Sequence, residues 1–288
     1  MGLIDFILNL AGLLFWLNWR AARVNPLNRS SPATLMGTLR PTVKKTASRW
    51  PLLLVTVGLL VLRGVGYRLI SYYTSVWNGT VNLQVIVLSF RSDSFPRMLE
   101  FSALSFGLML GVFYSWLLFF SLLAGPEPLH KVVKVQIGRV DDWPRWVKVI
   151  LPLVIGAVLW WPINWLLAES KVIPLPVSIS DRLEKSVVIG LGPYLTWQYP
   201  ICVVLILHLM NTYIYFGKHP FWIYVGAVAE KLLRPLRGLW SSSRSSAYSP
   251  AVRAATKGLL TLIAIMLTFL AAQLASRGLN WLYIRLPF

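Results

Sequence analysis

Residues 51 to 73 read PLLLVTVGLLVLRGVGYRLISYY, an apolar run that carries two charges, Arg63 and Arg68. At ~1.5 Å per helical residue the run is long enough to cross the ~30 Å of hydrocarbon in a bilayer. Four more runs, 101 to 124, 147 to 168, 188 to 215 and 257 to 276, reach or approach the same length. A sixth, 3 to 19, is marginal. Its polar positions Asp5, Asn9, Gly12 and Trp16 share one helical face, so it either spans against the other helices or lies in the interface.

The rest of the composition agrees. Of the 288 residues 56% are hydrophobic and 13% charged, whereas a soluble domain is about a quarter charged. Because the apolar residues come in long runs and not in stripes, no large soluble core is available. Cys202 stands alone, so no intramolecular disulfide can form. The start, MGLIDFILNL, lacks the basic region and cleavage site of a secretory signal and is expected to be retained.

A net charge of +18 would suggest nucleic acid in a soluble chain. Here the bases concentrate in loops, as they do on the cytoplasmic side of membrane proteins, and no nucleic acid is expected. Residues 20 to 49 hold Arg20, Arg23, Arg29, Arg40, Lys44, Lys45 and Arg49 with no acid. The stretch 125 to 148 is basic, and 215 to 257 has seven bases against Glu230 alone. By contrast, 74 to 100 and 169 to 186 are balanced. The expected topology is thus three hairpins, each closed by a basic cytoplasmic loop. Tyr72, Tyr73 and Trp77, then Trp160, Trp161 and Trp165, then Trp281 and Tyr283 suit the opposite headgroup level.

The loops repeat a pattern. His219-Pro220 and Pro235 in the third have the spacing of Asn25-Pro26 and Pro41 in the first, each with Leu-Arg before the later proline. Both loops return to the membrane through an x-Pro step, Trp50-Pro51 and Ser249-Pro250. Since proline disfavours helix in the residue before it and suits a first helical position, each loop should turn at its first proline. It should then run as a short amphipathic helix and start the next span at its last proline. Residues 221 to 236 fit such an interfacial helix. Proline and bases are common in such loops, so a chance coincidence of spacing stays open for the first.

On these residues, His219-Pro220, then Glu230-Lys231-Leu232-Leu233-Arg234-Pro235-Leu236-Arg237, then Ser249-Pro250, the third loop resembles the YggT (YlmG) family of small membrane proteins. Lys231 stands where that family's core has a proline, Gly238 in place of a second arginine, and Ala247 at an aspartate position. The resemblance is carried by the C-terminal hairpin, weakly by 101 to 168, and hardly by 1 to 100. It implies a YggT-like domain of two hairpins over 101 to 288, preceded by an additional N-terminal hairpin and outer loop over 1 to 100. It further implies a bacterial inner-membrane protein. Family members lie beside cell-division genes in many bacteria, and plastid relatives are tied to cofactor assembly or organelle division. No catalytic residue, cofactor or metal comes with it.

Charged and polar residues inside spans mark function by default. Asp5 is expected to pair with Arg68, placed at similar depth. Arg63 either snorkels or caps carbonyls of a neighbour, or it lines a polar pathway. His208 and Asn211 read as hydrogen bonds between helices, with a proton relay as the alternative. Gly107 and Gly111 form a small-xxx-small step suited to close helix approach. Glu127, Asp141 and Asp142 alternate with bases and read as a solvated loop. His130, His208 and His219 are scattered, and no enzymatic constellation is visible.

The expected protein is all-α and polytopic, with five to six transmembrane helices and amphipathic cytoplasmic loops. It would act as a scaffold or assembly factor, not an enzyme, meeting anionic lipid headgroups and either a membrane-protein partner or itself. The alternative is a small transporter or channel using Arg63 and His208.

Overall fold

A computed structural model describes residues 2–24, 50–73, 76–123, 125, 129–174, 178–214, 216–217, 219–240 and 250–285. Six of its helical segments are long and apolar enough to cross a membrane: Gly2–Arg20, Trp50–Tyr73, Phe95–Leu123, Arg145–Glu169, Ile179–Tyr213 and Ala255–Arg285. The chain is therefore a multi-pass, all-α membrane protein. The first basic loop, with its Asn25-Pro26 and Pro41 spacing, lies outside the described residues. The fold divides into two compact units: Met1–Val81 with Ser89–Leu110, and Asn82–Leu88 with Gly111–Phe288.

In the first unit α1 (Gly2–Val24) packs along α2 (Trp50–Tyr73). The first half of α3 (Phe95–Leu123) crosses both. A Cβ on Gly12 would stand 2.8 Å from the Phe106 ring, and one on Gly64 would stand 3.4 Å from the Leu99 backbone. Ser102 Oγ also donates to the Leu60 carbonyl at 2.9 Å. Polar side chains are thus used where backbones come close, as is common between membrane helices. Between α2 and α3 lies a hairpin of two short strands, β1 (Asn78–Asn82) and β2 (Val87–Arg91), each burying alternate residues. Gly79 and Phe90 of that buried face lie on Phe101.

In the second unit α4 (Leu129–Ile137) and a 3-10 turn (Gly138–Asp142) lead to α5 (Arg145–Glu169), which has Pro144 as its N-cap. The main neighbour of α5 is α6 (Ile179–Leu195), reached at a tight crossing. A Cβ on Gly156 would be 2.8 Å from the Gly190 Cα, and one on Gly190 would be 2.6 Å from the Leu153 carbonyl oxygen. Gly107 and Gly111 do not serve this purpose, since a Cβ on either would meet nothing within 4 Å.

The fifth span also differs from the expected 188 to 215. It is α6 followed by α7 (Gln198–Tyr213), with a break at Thr196 and Trp197 just after Pro193. Backbone groups freed at such a break must find partners inside a membrane. Trp116 Nε1 donates to the Thr196 carbonyl at 3.1 Å, and Trp197 Nε1 donates to Ser115 Oγ at 2.7 Å. The helix starts early because Ser178 caps it, accepting from the Asp181 amide at 3.1 Å. An Asp181–Lys185 pair then supports its first turns.

In the third loop the described residues form the expected helix, longer than 221 to 236 and packed on the protein's own helices where an interfacial helix was expected. His219 caps α8 (Pro220–Trp240), its Nδ1 accepting from the Phe221 amide at 3.3 Å, with Pro220 in the first helical position. The helix continues through Pro235 to Trp240, and α9 (Pro250–Arg285) begins at the last proline. The apolar stripe Tyr224, Val225, Val228, Ala229 and Leu233 is buried against Val204 and Leu205 of α7 and Ala264 of α9. The apolar face of α8 is thus covered by the chain's own helices, and Glu230, Lys231, Arg234 and Pro235 remain exposed.

Candidate functional site

A buried ionic network organises the first unit. Arg63 is 4% exposed, a placement too unfavourable for a lone cation at membrane depth. Each of its nitrogens is bound. Nη1 donates to Asn9 Oδ1 at 2.7 Å, Nη2 to Asp5 Oδ1 at 2.8 Å and to Ser105 Oγ at 3.3 Å, and Nε to the Tyr67 hydroxyl at 3.2 Å. Tyr67 donates in turn to Asp5, and Asn9 Nδ2 donates to Ser105 Oγ at 2.9 Å. The guanidinium also lies 5.2 Å from the centre of the Phe101 ring and 5.5 Å from that of Tyr67, within range of a cation–π attraction.

The expected pairing of Asp5 with Arg68 is therefore corrected to Asp5 with Arg63. The reason is rotational. Arg63 and Tyr67 are four residues apart and share a helix face, whereas Arg68 points ~100° away from Tyr67. Arg68 Nη1 instead donates to the Ser92 carbonyl at 3.3 Å, at the turn after β2. Trp77 packs edge-on against Tyr67 and Phe101 and not outward as an interfacial anchor. Tyr67 and Ser105 were not singled out by sequence. The i+4 spacing of Tyr67 from Arg63 was the available signal.

A second polar cluster sits in the other unit, where a solvated loop was expected. The Asp141 side chain is 7% exposed, so that expectation fails for this residue. Ser121 Oγ donates to its Oδ1 at 2.5 Å, and His130 Nε2 lies 3.3 Å from its Oδ2. Lys148, itself 5% exposed, donates to Ser121 Oγ at 2.8 Å and to the Asp141 carbonyl at 2.6 Å. These bonds tie the end of α3, α4, the 3-10 turn and the start of α5 together. Asp142 stays exposed beside Lys134 at 3.0 Å, and Glu127 lies outside the described residues. Lys231 of α8 reaches the same end of α3, donating to the Leu123 carbonyl at 2.5 Å.

Tyr224 of α8 adjoins this cluster, and its hydroxyl has no hydrogen-bond partner. Burial, and secondly the charge of Asp141, raise its pKa above the ordinary 10.0. The folded protein keeps the phenol proton that the unfolded chain releases near pH 10.0, so this contribution to stability is complete below that pH. It is lost as pH rises through the folded value. Tyr224→Phe is expected to leave stability at neutral pH nearly unchanged and to reduce its alkaline loss. Unfolding curves of both proteins on either side of pH 10.0 would check this, and identical alkaline losses would refute it.

The other anticipated residues are spread out. His208 and Asn211 are half-buried on α7, where the His208 carbonyl accepts from Thr212 Oγ1 at 2.9 Å. Leu233 is 1% exposed in the core. The side chains of Arg237 and Pro250, and Ser249 altogether, lie outside the described residues. Among the described residues no three His, Cys, Asp or Glu side chains gather as a metal site requires.

Fold and site together define a multi-pass membrane protein in which the buried charges of Arg63 and Lys148 tie helices together. Comparison with family models, curated proteins and solved structures finds no match.

Proposed function

We propose that the chain is a scaffold or assembly factor of the YggT type in the bacterial cytoplasmic membrane, without enzymatic activity, its basic loops facing the cytoplasm. One observation carries this reading: every nitrogen of Arg63 is bound to the protein's own side chains. A charge with four of its five N–H donors engaged in this way holds helices together and offers little to a passing solute. The exposed face of α8, with Lys231 and Arg234, would meet anionic headgroups at about 1 kcal/mol per base. It is also the surface for a membrane-protein partner or a second copy.

The second reading, a small transporter or channel, draws on the broken span at Thr196 and Trp197, since transporters build sites at such breaks. The bonds that the buried Thr196 carbonyl accepts from Trp116 and the Tyr199 amide weigh against it. Arg63→Gln separates the two. The scaffold reading expects lower yield of assembled protein and no solute-specific defect. Normal insertion with loss of a flux in proteoliposomes would overturn it. Orientation is tested by placing single cysteines at Ser31, Ser94, Ser180 and Ser243 after Cys202→Ser. Labelling of Ser94 and Ser180 from outside is expected, and labelling of Ser94 only from the cytoplasm would invert the topology.

A further inference from the structure

We propose that a recess between the second half of α5 and the start of α6 binds a phospholipid headgroup that carries a hydrogen-bond donor beyond its phosphate, as ethanolamine and glycerol headgroups do. The recess is shallow, about 30 Å³ within its walls and about 320 Å³ when its open mouth is counted, and Trp160, Trp161, Asn164, Trp165, Arg182 and Ser186 line it. It begins one turn beyond the Gly156–Gly190 crossing. There Trp160 and Asn164, at successive i+4 positions from Gly156, place larger side chains on the same face of α5.

Two buried polar atoms on residues that line the recess are unsatisfied. Trp160 is 2% and Asn164 4% exposed, and the Trp160 Nε1 donor and the Asn164 Oδ1 acceptor have no hydrogen-bond partner. Buried polar groups are nearly always paired, so an unpaired donor and an unpaired acceptor lining one recess point to a ligand that supplies both complements. Ser186 does not satisfy them, because its Oγ donates to the Arg182 carbonyl at 2.7 Å. The exposed Arg182 adds a cation at the mouth. Guanidinium and indole N–H suit phosphate oxygens, whereas the Asn164 acceptor calls for an ammonium or hydroxyl. A choline headgroup has no such donor.

Position selects a lipid over a free solute. Trp160 lies ~22 Å along α5 from Arg145 at 1.5 Å per residue, which places the recess toward the far boundary of the hydrocarbon. Trp161, Trp165 and Leu166 are 47%, 65% and 47% exposed beside it. They form an indole and leucine surface on which acyl chains can lie while the headgroup enters. This site is at the end of α5 remote from Arg145 and is independent of the function proposed above.

The test is native mass spectrometry of the full chain, titrated with phosphatidylethanolamine, phosphatidylglycerol and phosphatidylcholine of identical acyl chains. The first two are expected to bind one saturable site up to about tenfold more tightly than the third, the upper end of the worth of one hydrogen bond. Asn164→Leu should abolish that preference, and Arg182→Gln should weaken all three lipids. Glycerophosphoethanolamine, which has the headgroup without chains, should compete poorly. Equal affinity for all three lipids would mean that water fills the recess and would overturn the proposal. Strong competition by the chain-free headgroup would overturn the lipid as ligand. If Asn164→Leu fails to fold, the exposed Arg182→Gln decides, and unchanged binding in that variant refutes the site.

Discussion

Arg63→Leu is expected to destabilise the first unit by about 3–5 kcal/mol, because it leaves the Asp5 carboxylate in a largely buried site without its counter-charge. Asn9, Tyr67 and Ser105 would each lose a bond at the same time. Asp5→Asn alone should also destabilise, by leaving the guanidinium uncompensated. The double variant should lose less than the sum of the singles, with a coupling of about 1–3 kcal/mol. Arg68→Gln is the control. It removes one 3.3 Å bond to the Ser92 carbonyl and should cost about 1 kcal/mol. Equilibrium unfolding in mixed micelles, followed by circular dichroism, measures all four. Additive effects of Asp5→Asn and Arg63→Leu would mean that the pair does not act as a unit.

Gly190→Val is expected to disrupt the second unit strongly. The new side chain would begin 2.6 Å from the Leu153 carbonyl oxygen, and a helix backbone cannot turn aside as a side chain can. Overpacking usually costs about 1–3 kcal/mol where side chains can adjust, so a backbone clash belongs at or above the top of that range. Gly107→Ala and Gly111→Ala should be neutral or slightly stabilising, since both positions have open space and alanine favours helix by about 1 kcal/mol. Thermal unfolding of the three variants discriminates. Equal damage from Gly107→Ala and Gly190→Val would remove the α5–α6 crossing as the tight point.

Much of this architecture was legible because the membrane imposes long apolar runs, and such runs need no knowledge of packing. The start of α8 at Pro220 was legible for a similar reason, since proline chemistry is local. What escaped were features decided by rotation and by short range. Asp5 and Arg68 matched in depth, but depth says nothing of helix face. The start of α6 was hidden because Asp181, Arg182, Glu184 and Lys185 lower its hydropathy, although Ser178 three residues before Asp181 is a capping signal.

The hairpin after α2 was missed because its strands have five residues each and its turn lacks the usual glycine, with Gln84 adopting a positive φ of 75° instead. Asp141 was misread because its neighbours in sequence are charged while its neighbours in space, Ser121, His130 and Lys148, come from three helices. The glycine step at Gly107 and Gly111 was the opposite error, a familiar spacing with no helix against it.

The Asp5–Arg63 pair also bears on how the chain enters its membrane. Synthesis is vectorial, and the carboxylate of α1 is made 58 residues before the guanidinium it will face. An unpaired aspartate in the first turn of a marginal nascent span makes its insertion less favourable, so α1 by itself is a reluctant span. It becomes a committed one when α2 arrives with Arg63 and Tyr67 on the matching face. Two insertion events are thereby coupled into one, and a ribosome stalled between residues 24 and 50 should expose a first helix still able to slip back to the interface.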